Sequence, residues 1–108
     1  MNLKHIVADF RKVEVEDNIF FWRSVFSDAI RTLGLNMTYD DLQKDGPNNG
    51  SRGYIVMHNG SITFSHDPIE KRVVIVTQSW GDMNPDKLIN FIYDLLEPKF
   101  KESTITRF

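Results

Sequence analysis

Apolar and polar residues alternate along Tyr54, Ile55, Val56, Met57 and His58, and again along Ser61, Ile62, Thr63, Phe64, Ser65 and His66, with Asn59-Gly60 between the two runs. A period of two marks a half-buried strand, and Asn-Gly between two such runs signals a two-residue hairpin turn whose residues need positive φ. That turn pairs His58 with Ser61, Met57 with Ile62, Val56 with Thr63, Ile55 with Phe64 and Tyr54 with Ser65. One face of the hairpin is then apolar (Ile55, Met57, Ile62, Phe64), and the other is mixed (Tyr54, Val56, His58, Ser61, Thr63, Ser65).

Over residues 17–35 the period becomes helical: Ile19, Trp22, Phe26, Ala29, Ile30 and Leu33 recur on one side, and Gly34 offers a C-terminal stop. Phe20, Phe21 and Val25 widen that apolar face, which predicts deep packing with every phenylalanine of the helix in the core. A second helix is punctuated by Asn84 as N-cap, Pro85 at its first position and Asp86 near the positive dipole end, and it stops at Pro98. Its expected buried stripe is Leu88, Phe91, Ile92, Leu95 and Leu96. Strands are expected at 4–10, 37–43, 72–78 and 103–108, a turn at Asp67-Pro68, and a flexible loop at 44–52 rich in Gly, Pro and Asn. The order is β-α-β-β-β-β-α-β, which predicts one α+β domain over residues 1–108. It is a two-layer sandwich, a mainly antiparallel sheet carrying two helices on one face. The mixed face remains open for a second subunit, so a homodimer through that face is the expected assembly.

Composition narrows the function classes. The 108 residues suffice for one core but not for a separate substrate domain. Thirteen basic and fifteen acidic residues give a net charge of -2, which offers no electrostatic footprint for nucleic acid or a membrane surface. The chain has no cysteine, which excludes disulfides, thiolate catalysis and the usual structural zinc sites. No apolar run approaches the roughly 20 residues that span a bilayer, and with the first strand beginning almost at once no signal peptide is expected. A cytoplasmic location is the expectation.

Several strings, in order, resemble the prokaryotic S-adenosylmethionine decarboxylase family of small, self-processing pyruvoyl enzymes. His5-Ile-Val-Ala-Asp-Phe10 is similar to that family's opening His-Leu-Val-Ala-Glu-Leu strand. Gly50-Ser-Arg-Gly53 before an apolar strand is similar to its Gly-Val-Ser-Gly-Val-Val segment. Pro68, a β-branched strand ending in Gly81-Asp82 and a helix opening Asn84-Pro85 resemble its Pro-Glu, Cys-Gly-Asp and Asp-Pro stretch. The resemblance spans nearly the whole chain without a gap between Gly53 and Gly81, and it implies an S-adenosylmethionine ligand and a link to polyamine chemistry.

The departures fall on the chemistry. The family cleaves itself within Glu-Ser-His and converts the serine into the pyruvoyl electron sink; those positions here are Asn59, Gly60 and Ser61. Gly60 carries no hydroxyl, so no pyruvoyl cofactor is expected. The family's processing histidine falls on Ser65 and its catalytic cysteine on Trp80. The expectation is therefore a decarboxylase-like pseudoenzyme that binds an adenosyl-type small molecule. Its alternatives are an enzyme that cleaves S-adenosylmethionine by other chemistry, a residual decarboxylase processed at Ser61, and a pure interaction protein.

The residues left to carry chemistry are few. His58 opposite Ser61 suggests a Ser-His couple, against the blander reading of a polar cross-strand pair. His66 with Asp67 is an acid–base candidate, although Asp-Pro more often just builds a turn. His58 and His66 point to opposite faces, which argues against a shared metal site, so none is expected. For an adenosyl ligand the candidates are Tyr54, Glu70 (with Glu14 or Glu16 as other acidic groups for ribose hydroxyls) and Trp80 for adenine stacking. Gly50-Ser-Arg-Gly53 lacks the following helix that a good anion cradle needs.

Overall fold

A computed structural model describes residues 3–108. Six strands, β1 (Lys4–Arg11), β2 (Met37–Gln43), β3 (Ser51–Met57), β4 (Gly60–Asp67), β5 (Arg72–Ser79) and β6 (Glu102–Arg107), form one sheet in the order β2-β3-β4-β5-β1-β6. Every neighbouring pair is antiparallel. Helices α1 (Ile19–Thr32) and α2 (Pro85–Leu96) lie between β1 and β2 and between β5 and β6 in the chain. The fold is the expected two-layer α+β sandwich.

Local chemistry places the helix ends. Asn18 is the N-cap of α1, its side chain accepting the Phe20 amide, and Asn84 caps α2 by accepting the amides of Asp86 and Lys87. Gly34, at φ 67°, closes α1. The Leu35 amide reaches the Ile30 carbonyl (2.9 Å) and the Gly34 amide reaches that of Arg31 (3.2 Å), which satisfies carbonyls that the helix leaves free.

Ile6, Ala8, Phe10, Ile55, Met57, Ile62, Phe64, Val73 and Ile75 form the sheet side of the core, met by Trp22, Val25, Phe26, Ala29 and Ile30 from α1 and by Leu88, Ile89, Ile92 and Leu96 from α2. Phe26 packs on Phe64 at 4.9 Å between ring centroids. Two expectations for the helices are corrected. Phe20 is 71% exposed, because successive residues turn by about 100° and Trp22, Val25 and Phe26 take the inward side. Leu95 is 40% exposed while Ile89 is fully buried, so α2 faces the sheet along 85, 88, 89, 92 and 96 instead.

Hairpin pairing also differs in detail. Met57 pairs with Gly60, Ile55 with Ile62 and Tyr54 with Thr63, so the turn residues are His58 and Asn59. Neither Asn59 nor Gly60 has positive φ. The register is displaced by two residues from the expected one, which conserves the parity of the faces. At the far end of the sheet Lys12 and Lys71 both adopt left-handed φ (57° and 54°), and the Val13 amide donates to the Lys71 carbonyl at 2.8 Å. No helix among the described residues is long and apolar enough to cross a membrane.

Candidate functional site

The hairpin tip is sewn into its neighbours. The His58 amide donates to the Asn36 carbonyl (3.0 Å) and the Trp80 amide to the Asn59 carbonyl (2.9 Å). Gly60 begins β4 opposite Ser79. A Cβ at Gly60 would lie 2.5 Å from the Gln78 carbonyl oxygen and 2.8 Å from Met83 Sδ, so glycine is required here by crowding and not by a left-handed turn. A cleft of about 160 Å³ opens beside the tip, bounded by Leu35, Asn36, Met57, His58, Asn59 and Met83 among others.

Ser61 faces away from the helices and stands opposite Val56 and Gln78. His58, in the turn, is not its cross-strand partner, and among the described residues no hydrogen bond joins the two. The Ser-His couple is thereby corrected. His66, five residues further along the same strand, points to the helix side, so it cannot serve Ser61 either. Nor does His66 pair with Asp67. The Asp67 carboxylate accepts the amides of Ile69 and Glu70 and the Asn48 side chain, and these bonds, the Glu70 amide foremost, hold it below the usual carboxylate range. No group of three or more potential metal ligands occurs among the described residues.

His66 is 1% exposed. Trp22 Nε1 donates to its Nδ1 at 3.3 Å, Asp17 Oδ1 lies 3.7 Å from the same nitrogen, and Ser51 Oγ donates to that Asp17 oxygen at 3.1 Å. Burial pushes the His66 imidazole below its usual value, opposed by Asp17 and assisted by Lys44. Lys44 ties Asp17 Oδ2 to the Asn49 carbonyl. Of the 44–52 loop expected as flexible, residues 44–50 thus form a hydrogen-bonded strap and residues 51–52 already belong to β3.

On the open face, β-register lines up Thr106, Val7, Val76, Thr63, Tyr54 and Asp41 as one row across the sheet. Tyr54 stacks on Tyr39 with centroids 5.8 Å apart and planes at 30°, and the two rings are 41% and 55% exposed. A hydrogen bond with Tyr39 raises the Tyr54 phenol. Asp41 stands directly opposite Tyr54. Tyr39 and Asp41 were not singled out from sequence, although the alternation of β2 against a Tyr54 strand is the signal that would have found them. Arg52, beside this platform, is held by Asp45 through two bonds of 2.8 and 3.0 Å, which leaves the Gly50–Gly53 loop without a free guanidinium.

The three ligand-contact candidates are dispersed. Trp80 follows the end of β5 at the hairpin tip, while Glu70 precedes its start and lines a charged groove with Asp9, Arg11, Arg72 and Glu102. An eight-residue strand separates them by about 26 Å at roughly 3.3 Å per residue. Tyr54 lies between, toward the β2 edge. Within one chain they do not form a single site.

No protein-family model matches the chain, and no curated protein matches it by sequence. Among solved structures, the adenosylmethionine decarboxylase from Aquifex aeolicus VF5 superposes with a TM-score of 0.86 at 17% identity, over 98% of this chain and 88% of that one. The chain has an adenosylmethionine decarboxylase-like fold. At that identity the likeness speaks for the arrangement of strands and helices alone. It accords with the resemblance carried by the strings at 5–10, 50–53 and 68–85.

Proposed function

We propose that this protein is a non-decarboxylating member of the decarboxylase-like folds, a cytoplasmic pseudoenzyme that binds an adenosyl-type small molecule as a homodimer closed through the open sheet face. The observation that carries the reading is the crowding at Gly60. A pyruvoyl group is made from a side-chain hydroxyl, and this position has neither the hydroxyl nor room for a Cβ. The residues present do not fit that group, and decarboxylation through a carbonyl electron sink is not part of the proposal.

Binding is supported by the Tyr39–Tyr54 pair. Two exposed, stacked rings offer a planar surface for an adenine, and ring faces attract a cation such as a sulfonium. The adjacent Asp41 carboxylate adds negative charge beside them. Val7, Val56, Val74 and Val76 on the same face, all half-buried, give the dimer contact its apolar centre. Glu70 and Trp80 join the ligand only from the partner subunit or not at all.

Titration calorimetry with S-adenosylmethionine, run beside intact-mass measurement, tests this. The expected results are saturable binding, weakened at least about tenfold by Tyr54→Ala (about 1.4 kcal/mol), and one unbroken chain. Two fragments with a blocked new N-terminus would restore the self-processed decarboxylase. Product analysis after incubation separates a binder from an enzyme that cleaves the ligand.

A further inference from the structure

His66 is the one ionisable side chain among the buried polar residues described. An indole N–H can only donate, so the 3.3 Å contact from Trp22 requires Nδ1 to be an acceptor, with the imidazole neutral and its proton on Nε2. The neighbouring charges do not reverse this. Asp17, in the segment leading into α1, already accepts Lys44 on one oxygen and Ser51 on the other. Lys44, just past β2, repels an imidazolium, whereas Asp67 on β4 attracts one. These three are the charged groups whose fields act on the ring.

We propose that the Trp22–His66–Asp17 cluster is an acid-sensitive latch: a proton on Nδ1 turns acceptor into donor against the indole N–H, releasing the first turn of α1 and the 44–50 strap from the end of β4. The strap depends on the same corner through the Lys44 bond to the Asn49 carbonyl, the Asn48 bonds to Asp67 and the close seating of Gly50 on the His66 carbonyl and Pro68. Loss of the latch therefore frees both segments together, while α2, which packs beside α1 over β1 and β5, stays docked.

The direction follows from linkage. The His66 pKa is lowered in the fold, chiefly by burial, so on acidification the unfolded or locally opened chain takes up the proton first. Stability at this corner is fully present above the ordinary histidine range and falls as pH drops below about 6.5. One proton taken up on opening raises the opening equilibrium about tenfold per pH unit between the open-state and closed-state pKa values.

Native-state hydrogen exchange of the full chain, with intrinsic rates corrected for pH, reads this out at about pH 8 and about pH 5. The expected result is opening that grows toward tenfold per unit in the amides of Trp22, Gly46 and Gly50 and stays flat in Ile92 and Leu96. Nitrogen NMR of His66 at about pH 8 should show the proton on Nε2. Equal acceleration everywhere, no acceleration, or a proton on Nδ1 overturns the proposal. Trp22→Phe keeps a ring in the core and removes the donor, so the His66 pKa should rise and the local acid response shrink; an unchanged His66 titration in that variant also overturns it.

Discussion

Replacing Gly60 with alanine tests why glycine stands at the hairpin tip. The added methyl would sit 2.5 Å from a backbone oxygen of Gln78 and 2.8 Å from Met83 Sδ. The thioether can swing away, but the carbonyl belongs to the central strand pair and cannot. Forcing one methyl into a filled space costs about 1–3 kcal/mol. With about 2.1 cal/mol/K of unfolding entropy per residue, the chain of 108 residues loses roughly 4 °C of Tm per kcal/mol. Gly60→Ala should therefore melt about 4–13 °C lower in a calorimetric or circular-dichroism scan. The order of variants is more diagnostic than the size. If glycine were there for a left-handed turn, Gly60→Asn would be milder than Gly60→Ala, since asparagine tolerates positive φ. Crowding predicts the reverse, with Met83→Ala in the background recovering part of the loss but not all. A Gly60→Asn protein more stable than Gly60→Ala would refute the crowding argument, and an unchanged Tm in both would remove it altogether.

Phe20→Ala, on the exposed side of α1, should shift stability by no more than about 0.5 kcal/mol in urea titration. Phe26→Ala, fully enclosed against Trp22 and Phe64, should cost about 3–5 kcal/mol. Val76→Asp places a charge at the centre of the open face; size-exclusion chromatography with light scattering should then report a monomer, against the dimer expected of the parent protein. Tyr39→Ala should weaken S-adenosylmethionine binding with little loss of stability, since its ring is largely exposed.

Periodicity made the two layers legible. Strand runs at 37–43, 54–58, 61–66 and 72–78 coincide with β2–β5 to within a few residues, because each alternates or carries β-branched residues that pack well on a pleat. The turn was misplaced by one residue for a definite reason. Asn-Gly reports what an isolated hairpin prefers, whereas here the β5–α2 connection presses on Gly60 and the backbone needs no positive φ. Parity survives a shift of two, so the faces were assigned correctly even though their partners were not. Phe20 could not be sorted from Phe21 and Trp22 without knowing how α1 is rotated on the sheet. The latch was the least readable feature, since Asp17, Lys44, Ser51 and His66 are brought together only by tertiary folding. One trace was available: His66 shares the inward parity of Ile62 and Phe64 on β4, which argues for a buried imidazole.

The paired lysines with left-handed backbone carry a consequence for engineering. Lys12 and Lys71 each hold a conformation that disfavours L-residues by about 1–2 kcal/mol, and they meet where the ends of β1 and β5 turn out of the sheet. Neither is required there for packing, as both are exposed. Exchanging either for glycine or asparagine would relieve a local torsional load without disturbing the Tyr39–Tyr54 pair or the core, leaving a reserve of heat resistance that the natural chain does not use.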